Sequence, residues 1–331
     1  MLGWKVVKTY DISVPKSTVL ELEHKQTGAK YVHVTNSSEE NTFIVAFKTI
    51  PEDSSGVAHI LEHTALAGSK KYPVKNPFMA MAKRSLSTYL NAFTSNDWTA
   101  YPFSSANKKD FYNLLSIYLD AAFFPLLDCY SFMQEGWRYS FDGDRLKYDG
   151  VVYNEMKGNM SSADHLFEYA VMDSLYKEAP YHYNSGGDPA KITDLKYDDF
   201  LAFHKKHYHP SNACFYSYGN LELKETLELV NKNVMEKFQD RQDKLEIKKE
   251  KRWGEENSGK YFFQAENKND IDKHQFALAW LTTSIDNIEE VVAMEILDDV
   301  LLSNADSPLK KALLESGFGS DTTRYAGFDN E

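Results

Sequence analysis

The sequence predicts an α+β protein in which an antiparallel or mixed sheet is flanked by helices. Two runs near the amino terminus, 18–24 and 30–34, alternate apolar and polar side chains, as strands with one covered face do. The run 42–47 is apolar throughout, which indicates a strand covered on both faces. Apolar residues then recur at helical spacing in 56–66 and in 108–124. Strands followed by helices in this order favour an α+β architecture.

Composition sets the size and class of the protein. The 331 residues have room for one large domain or for one and a half to two ordinary ones, and 42% hydrophobic with 26% charged residues is typical of a globular chain. No segment approaches the roughly 20 apolar residues that a membrane helix needs, so we expect a soluble protein with no membrane partner. The net charge of −12 argues against a nucleic-acid partner, because phosphate binding requires a basic surface.

The amino terminus and the cysteines predict a cytoplasmic location. Residues 1–8 lack the apolar core of a secretion signal and the Arg- and Ser-rich character of a transit segment. Cys129 and Cys214 are too few for a disulfide framework and too far apart for a C-x-x-C site. We therefore expect two ordinary buried thiols in a reducing compartment.

The predicted helix 56–66 carries an H-x-x-E-H motif formed by His59, Glu62 and His63. Histidines four residues apart leave the same face of a helix, one turn apart, where two imidazoles can share one metal ion. Glu62 borders that face and can reach a water at the metal without being a ligand, as a general base must. Such a short pattern also arises by chance, and two helical histidines are often only a polar stripe. The apolar residues around them favour a metal, because buried imidazoles need compensation for lost hydration.

A hydrolytic zinc site needs a third protein ligand from elsewhere in the chain, and it keeps a fourth position open for water. Glu155 is the first candidate, because Gly150 and the Asn-Glu-Met-Lys run after it are typical of a loop that enters a helix. Glu135 is the second candidate. The residues alone leave the choice open, because acidic side chains are abundant in this chain.

Further patterns complete the first domain. They predict, in chain order, a helix within 73–87, a hairpin of 90–93 and 96–103, helices through about 178, a strand at 212–218 and a helix at 222–238. The glycine-rich segment 184–189 lacks the order of a phosphate-binding loop and is expected to be a turn, with Asp188 near a helix start. We expect His204, His207 and His209 to be structural, because the two lysines among them would repel a metal ion.

The distribution of charge predicts the domain boundaries. Residues 1–239, which carry the H-x-x-E-H motif, are predicted to form the first domain, and the charge-dominated passage 240–260 is predicted to be a solvated linker. A second domain is expected over 261–331, and the family resemblance described below implies that it is partial. It would begin with a strand at 271–281 and continue with a helix at 288–302.

Ordered strings along the chain resemble the insulinase/pitrilysin superfamily of metallopeptidases and, within it, the presequence-protease branch. They begin with G-V-A-H-I-L-E-H at 56–63 and G-S-K-K-Y-P at 68–73. The further strings are L-N-A-F-T-S-N-D-W-T-A-Y-P-F at 90–103, Q-E-G-W-R at 134–138, G-V-V-Y-N-E-M-K-G at 150–158, S-G-G-D-P at 185–189 and H-Y-H-P-S-N-A at 207–213. Several strings in one order are far more specific than a single motif.

The resemblance implies a zinc-dependent endopeptidase that acts on peptides or unfolded segments. It implies that Zn²⁺ is held by His59, His63 and Glu155, and that Glu62 activates the attacking water. It also implies that Glu135 assists by holding a ligand or tuning its basicity.

The resemblance further implies that a peptide substrate adds as a strand to an edge of the sheet. The residues of that edge would be Leu90, Asn91, Ala92 and Phe93, with the Asn91 side chain gripping the peptide backbone. The residues alone fit an ordinary inner hairpin equally well.

In the resembling family the second domain repeats the first without zinc ligands, and two more domains follow and close a chamber. We therefore expect the N-terminal part of a larger enzyme, with the C-terminal half as its partner, and little activity without that half. The alternative is a non-catalytic peptide-binding or scaffold subunit of the same fold; the complete set of metal-binding residues favours the enzyme. A small lyase with the same motif is less favoured, because such enzymes are short single domains.

Overall fold

The computed structural model describes residues 2–252, 257–264, 274–323 and 326–330. The chain divides into two compact units. The first unit consists of 1–158 and 183–248, and the second of 159–182 and 249–331. All of the proposed site residues lie in the first unit.

An eight-stranded sheet forms the centre of the first unit. Its order is β1-β2-β3-β10-β4-β7-β5, with β6 also paired to β7. Strands β10 and β3 are parallel, and the other pairs are antiparallel. The strands are β1 (Trp4–Ile12), β2 (Ser17–His24), β3 (Lys30–Thr35), β4 (Asn41–Lys48), β5 (Ser87–Leu90), β6 (Phe93–Thr94), β7 (Trp98–Ser105) and β10 (Ala213–Gly219). A separate hairpin pairs β8 (Arg138–Asp142) with β9 (Arg145–Asp149).

Helices of the first unit flank the sheet, among them α1 and α3, which confirms the α+β prediction with a mixed sheet. In chain order, the helices of the described residues in both units are α1 (Val57–Ala65), α2 (Pro77–Arg84), α3 (Lys108–Phe123), α4 (Cys129–Glu135), α5 (Val151–Asn159), α6 (Ala163–Leu175), α7 (Pro189–Ile192), α8 (Tyr197–His207), α9 (Leu223–Asn233), α10 (Ile288–Leu302) and α11 (Pro308–Glu315). Short 3₁₀ turns occupy Pro180–His182, Pro210–Asn212 and Met235–Lys237. Among the described residues, none of these helices is long and apolar enough to cross a bilayer.

One face of β4 lies in the core of the first unit. Phe43, Val45 and Phe47 are fully buried there, and α3 covers this face, with its Phe123 ring 5.1 Å from that of Phe47. On the opposite face the side chains of β4 remain partly exposed. The strand predicted to be covered on both faces is therefore fully covered on one face and partly covered on the other, because the aromatic core to which α3 contributes lies on the first face.

The cysteines are also placed differently from the prediction. Cys129 and Cys214 are both free and exposed, not buried. Cys129 opens α4 at the surface, and Cys214 lies on the outward face of β10 between the buried residues Ala213 and Phe215. Alternation along the strand therefore decides which neighbour reaches the core.

The second unit contains α6, α10 and α11. At the end of α6, the Glu250 carboxylate accepts hydrogen bonds from three successive backbone N–H groups, those of Lys177, Glu178 and Ala179, at 2.8 to 3.0 Å. These hydrogen bonds hold Glu250 and the residues next to it against residues 177–179. The helix predicted at 288–302 coincides with α10.

The strand predicted at 271–281 is not found. Residues 271–273 lie outside the described residues, and 274–281 are not in a strand. An extended segment becomes a strand only when a neighbour takes up its backbone hydrogen bonds, and the described residues provide no such pairing there.

The first residues of the predicted linker 240–260 belong to the first unit and contact its strands. Arg241 lies 3.9 Å from Glu23, and Lys48 donates a hydrogen bond to the Leu245 carbonyl. The chain passes into the second unit after residue 248. The division into a first domain, a linker and a partial second domain stays a prediction.

Two buried histidines, His33 and His207, and the partly buried His204 should make the first unit sensitive to acid. Burial lowers the pKa of His33, His204 and His207 to about 4, from an ordinary value of 6.5. The unfolded chain takes up these protons near pH 6.5 and the folded chain only near pH 4, so stability is lost as the pH falls between them. We expect each histidine to cost about 1 kcal/mol between pH 7 and pH 5.5, measured as the free energy of unfolding in urea. A His204→Gln variant should show a shallower pH dependence, and an unchanged slope would contradict this account.

Candidate metal centre

Helix α1 carries the H-x-x-E-H motif along the boundary of the core. His59, Glu62 and His63 are only partly buried. The remaining side chains of the helix are buried: Val57, Ala58, Ile60, Leu61, Thr64 and Ala65. This amphipathic pattern fixes the helix against the core and leaves the motif at the surface of the site.

The structure holds both imidazoles in the form that a metal ligand needs. The ring centroids of His59 and His63 are 5.0 Å apart. His59 donates from Nδ1 to the Gly186 carbonyl at 3.0 Å, and His63 donates from Nδ1 to Glu135 Oε2 at 3.3 Å. Because a carbonyl or carboxylate oxygen accepts, Nδ1 carries the proton in each ring and Nε2 keeps its lone pair.

Glu155 joins the two histidines. Its Oε2 lies 3.8 Å from His59 Nε2, and ligand atoms of His59, His63 and Glu155 all lie within 4.8 Å of one another. Donor atoms that each lie about 2.0–2.1 Å from one zinc ion are at most about 4 Å from one another. Small side-chain rotations would therefore bring the three donor atoms within binding distance of a single ion. Across the described ranges, this is the one group of three such side chains close enough to share an ion. Two imidazoles and a carboxylate suit a hydrolytic zinc site.

The hairpin β8–β9 connects the helices that carry Glu135 and Glu155, and it brings both glutamates beside the two histidines of α1. Glu135 ends α4, the hairpin turns the chain back, and Glu155 follows on α5. An ion pair of 2.5 Å between Arg138 Nη2 and Asp149 Oδ2 closes the open end of the hairpin. Asp149 also accepts from Asn154 at 2.8 Å, which holds the first turn of α5.

Sequence reasoning missed this hairpin and read the region as helical. A signal was present, since Tyr139 and Phe141 alternate with polar residues before Gly143, as do Leu146 and Tyr148 after it. A glycine-containing two-residue turn between alternating runs is typical of a hairpin.

The structure gives the two glutamates different positions. Glu155 lies on the Nε2 side of His59, and its side chain is 47% exposed. Glu135 lies behind His63, at Nδ1, and its side chain is only 12% exposed. Glu135 is further held by Gln134, which donates to Oε1 at 2.9 Å. Glu135 therefore orients the His63 ring, whereas Glu155 can bind a metal ion together with the two histidines.

The contact between His63 and Glu135 changes the pKa of both groups. Burial lowers the pKa of His63, but the hydrogen bond to Glu135 and the negative charges of Glu62, Glu135 and Glu155 outweigh it, so the net shift is upward. The hydrogen bond from His63 lowers the pKa of Glu135 against the effect of burial. Glu135 therefore remains a carboxylate and makes His63 more basic.

Glu62 is oriented by a residue that sequence reasoning did not single out. Thr94 Oγ1 donates to Glu62 Oε2 at 2.7 Å. Thr94 ends β6, so the carboxylate lies beside the edge of the sheet. No sequence signal identifies this pairing, because the two residues meet only when α1 packs against β6.

The predicted substrate residues occupy this edge. Leu90 ends β5, Phe93 begins β6, and Asn91 and Ala92 connect them. Strand β5 is the last strand on its side of the sheet, and the Asn91 backbone N–H donates to the Pro102 carbonyl of β7 at 3.2 Å. The structure thus places the four residues at an edge and not in the interior of the sheet.

The second histidine cluster lies outside this group. His204 donates from Nε2 to the Ala122 carbonyl at 3.1 Å, and His207 donates from Nδ1 to the Phe203 carbonyl at 2.9 Å. His209 lies 3.3 Å from Asp240. These contacts fit the structural role predicted for all three.

Two known families match this chain. The family described as "Insulinase (Peptidase family M16)" matches residues 50–138, and "Peptidase M16 inactive domain" matches residues 194–328. The first match includes the H-x-x-E-H motif and Glu135. Glu155 lies between the two matches, so its place at the site comes from the structure.

Curated relatives match nearly the whole chain. "Presequence protease, mitochondrial" of Xenopus tropicalis is 40% identical over 95% of this chain, and the protein of that name from Kluyveromyces lactis is 38% identical over 99%. "Protein HypA" of Clostridium perfringens is 37% identical over 99%. The chain spans only 31%, 34% and 34% of the lengths of these relatives.

A solved structure shares the fold. The crystal structure of a protease from Helicobacter pylori superposes with a TM-score of 0.55 and 21% identity, over 70% of this chain and 52% of that one. At this identity the likeness concerns the fold alone.

Proposed function

Because the chain belongs to the insulinase family of metallopeptidases, on its presequence-protease branch, we propose that it acts as a zinc-dependent endopeptidase. The observation that carries the proposal is the convergence of His59, His63 and Glu155, with Glu62 directed to the neighbouring sheet edge. The proposed substrates are peptides or unfolded segments. The names of the relatives point to presequence peptides as the first to test.

The chemistry assigns a task to each side chain. Zn²⁺, when held by His59, His63 and Glu155, would lower the pKa of a water toward about 7 and polarise the substrate carbonyl. Glu62 takes the proton of the attacking water and later returns it to the leaving amine. The hydrogen bond that Thr94 donates to Oε2 of Glu62 would hold the carboxylate in position for this transfer.

The edge of the sheet explains how a peptidase can accept many sequences. A peptide that adds as a strand beside β5 and β6 is held by main-chain hydrogen bonds, which are the same for every residue. Asn91 is the side chain proposed to grip the peptide backbone. Without a peptide, its Nδ2 donates to the Tyr89 hydroxyl at 3.2 Å and its Oδ1 accepts from the Ala92 N–H at 3.0 Å.

Asn91→Ala is expected to raise KM for peptides about 2- to 10-fold with a smaller change in kcat. The lost hydrogen bond contributes about 0.5–1.5 kcal/mol in the bound peptide and in the transition state alike. Initial rates over a range of peptide concentrations measure both constants. Tyr89→Phe is the matched control, because it removes the partner hydroxyl and keeps the amide. A fall in kcat at constant KM would contradict the gripping role.

We also propose that this chain works with a C-terminal half that encloses the substrate. The support is that its relatives are about three times as long as the matched part. A reducing, cytoplasmic location remains part of the proposal and is supported by two free cysteines. The names of several relatives place those proteins in mitochondria.

Zinc titration combined with peptide hydrolysis tests the proposal on this chain and on the full-length protein. We expect one zinc ion per chain in both, and hydrolysis by the full-length protein. Zinc binding without hydrolysis by the full-length protein would favour the alternative, a non-catalytic peptide-binding or scaffold subunit. Absence of zinc binding from both proteins would overturn the metal site.

A further inference from the structure

We infer that the segment 184–188 is the positioning element of the proposed metal site. It fixes the His59 ring in the form that presents Nε2, and it holds α5, which carries Glu155, beside the start of α1. The inference rests on the proposed function. It assigns a role to residues that overlap the string S-G-G-D-P at 185–189, for which the sequence analysis predicted a turn and a family resemblance but no role at the metal site.

Asn184 folds the segment. Its side-chain Oδ1 accepts from the backbone N–H groups of Gly186 at 3.1 Å and Gly187 at 3.2 Å, and its own carbonyl accepts from Gly187 N–H at 3.0 Å. An asparagine side chain that bonds to the backbone two residues on is typical of a tight turn. The turn directs the Gly186 carbonyl to His59, whose Nδ1 donates to it at 3.0 Å.

Ser54 fastens the segment to the residues that lead into α1. The Asn184 N–H donates to Ser54 Oγ at 3.1 Å, and the Asp188 N–H donates to the Ser54 carbonyl at 2.8 Å. Both ends of the segment are therefore bound to one residue. Because α1 begins three residues after Ser54, the Gly186 carbonyl has a fixed position relative to His59.

Two glycines permit this close approach. Gly56 and Gly187 have φ angles of +68° and +107°, which residues with a Cβ rarely adopt. A Cβ on Gly56 would lie 2.7 Å from the Gly186 oxygen, and a Cβ on Gly187 would lie 2.7 Å from Ile192. The backbone of the segment therefore lies against the backbone that precedes α1, with no room for a side chain between them.

The same segment also contacts α5. A Cβ on Gly186 would lie 3.0 Å from Met156 Cε, so the Met156 side chain packs directly on the peptide that His59 contacts. Met156 follows Glu155 in the chain. One short segment thus joins the helices of two proposed ligands, His59 on α1 and Glu155 on α5.

Asn184→Ala tests the inference through metal affinity and not only through activity. We expect zinc affinity, measured with a competing chelator, to fall about 10- to 100-fold, as it does when a ligand loses the group that orients it. In the metal-free protein, ¹⁵N NMR of His59 should show more of the tautomer protonated at Nε2. Asn184→Asp keeps an oxygen acceptor and should bind zinc nearly as the unmodified protein does.

Asn107→Ala is the matched control. Asn107 Oδ1 accepts from the Asp110 N–H at 3.1 Å at the start of α3, so this variant loses the same kind of bond on a helix without a proposed ligand. We expect both alanine variants to lose unfolding free energy, Asn184→Ala more because its side chain accepts two backbone hydrogen bonds and that of Asn107 accepts one, but weaker zinc binding only from Asn184→Ala. Unchanged zinc affinity and tautomer in Asn184→Ala, or equal loss of affinity in Asn107→Ala, would overturn the inference while the metal site stands. If the unmodified protein binds no zinc, the site and the inference both fall.

Discussion

Glu62→Gln is expected to abolish most peptide hydrolysis while zinc stays bound at one ion per chain. Glutamine has the shape of glutamate and can still accept a hydrogen bond from Thr94, so the site should keep its geometry. It cannot take up a proton from water near neutral pH. A general base contributes about 10²- to 10⁴-fold to rate, and we expect kcat of the full-length enzyme to fall by that factor.

Asp11→Asn is the control for this prediction. The Asp11 carboxylate also accepts a hydrogen bond from a threonine, since Thr18 Oγ1 donates to its Oδ1 at 2.9 Å, and Asp11 lies on β1, at the opposite edge of the sheet from β5. This variant should hydrolyse peptides at the normal rate. Peptide hydrolysis and elemental analysis for zinc measure the two properties separately. Undiminished cleavage by Glu62→Gln would remove Glu62 from the role of base.

Glu155→Ala is expected to weaken zinc binding much more than Glu135→Ala. The first change removes one of three proposed ligands, and the second removes only the acceptor behind His63. Loss of such an orienting group typically reduces metal affinity by about 10- to 100-fold, and loss of a ligand should exceed that range. Competition with a chelator of known affinity, at one pH for both variants, gives the comparison.

The ratio between these two variants decides which glutamate is the ligand. A larger loss from Glu135→Ala would assign the ligand role to Glu135 and leave Glu155 as an exposed carboxylate. Equal small losses would mean that neither glutamate holds the metal. Unfolding of the metal-free variants in urea provides the control. We expect each variant to lose no more unfolding free energy than one hydrogen bond contributes, so that a difference in zinc affinity does not reflect a difference in folding.

The elements found from the sequence are those whose side chains repeat with one clear period. Strands β2 and β3 and helices α1 and α3 were predicted close to their observed bounds for this reason. Strand β1 was missed because its register shifts between Val6 and Lys8 and all its side chains after Trp4 are exposed. A strand without a buried face leaves no alternating pattern to detect.

The sequence by itself determined which chemical groups this protein offers: two imidazoles one helical turn apart, a carboxylate beside them, and two further glutamates as alternatives. The residue pattern alone left open which of those two could join a metal, although the resemblance of the ordered strings implied Glu155. Only the tertiary structure decided that Glu155 lies on the Nε2 side of His59 and Glu135 behind His63. It alone supplied Thr94 and the Gly186 carbonyl as partners of the site. The reason is physical. Helical spacing fixes which side chains are neighbours within one turn, but the distance between remote segments depends on how the chain packs. The direction of a backbone carbonyl also depends on packing, and every residue has such a carbonyl, so the sequence does not mark the one that matters.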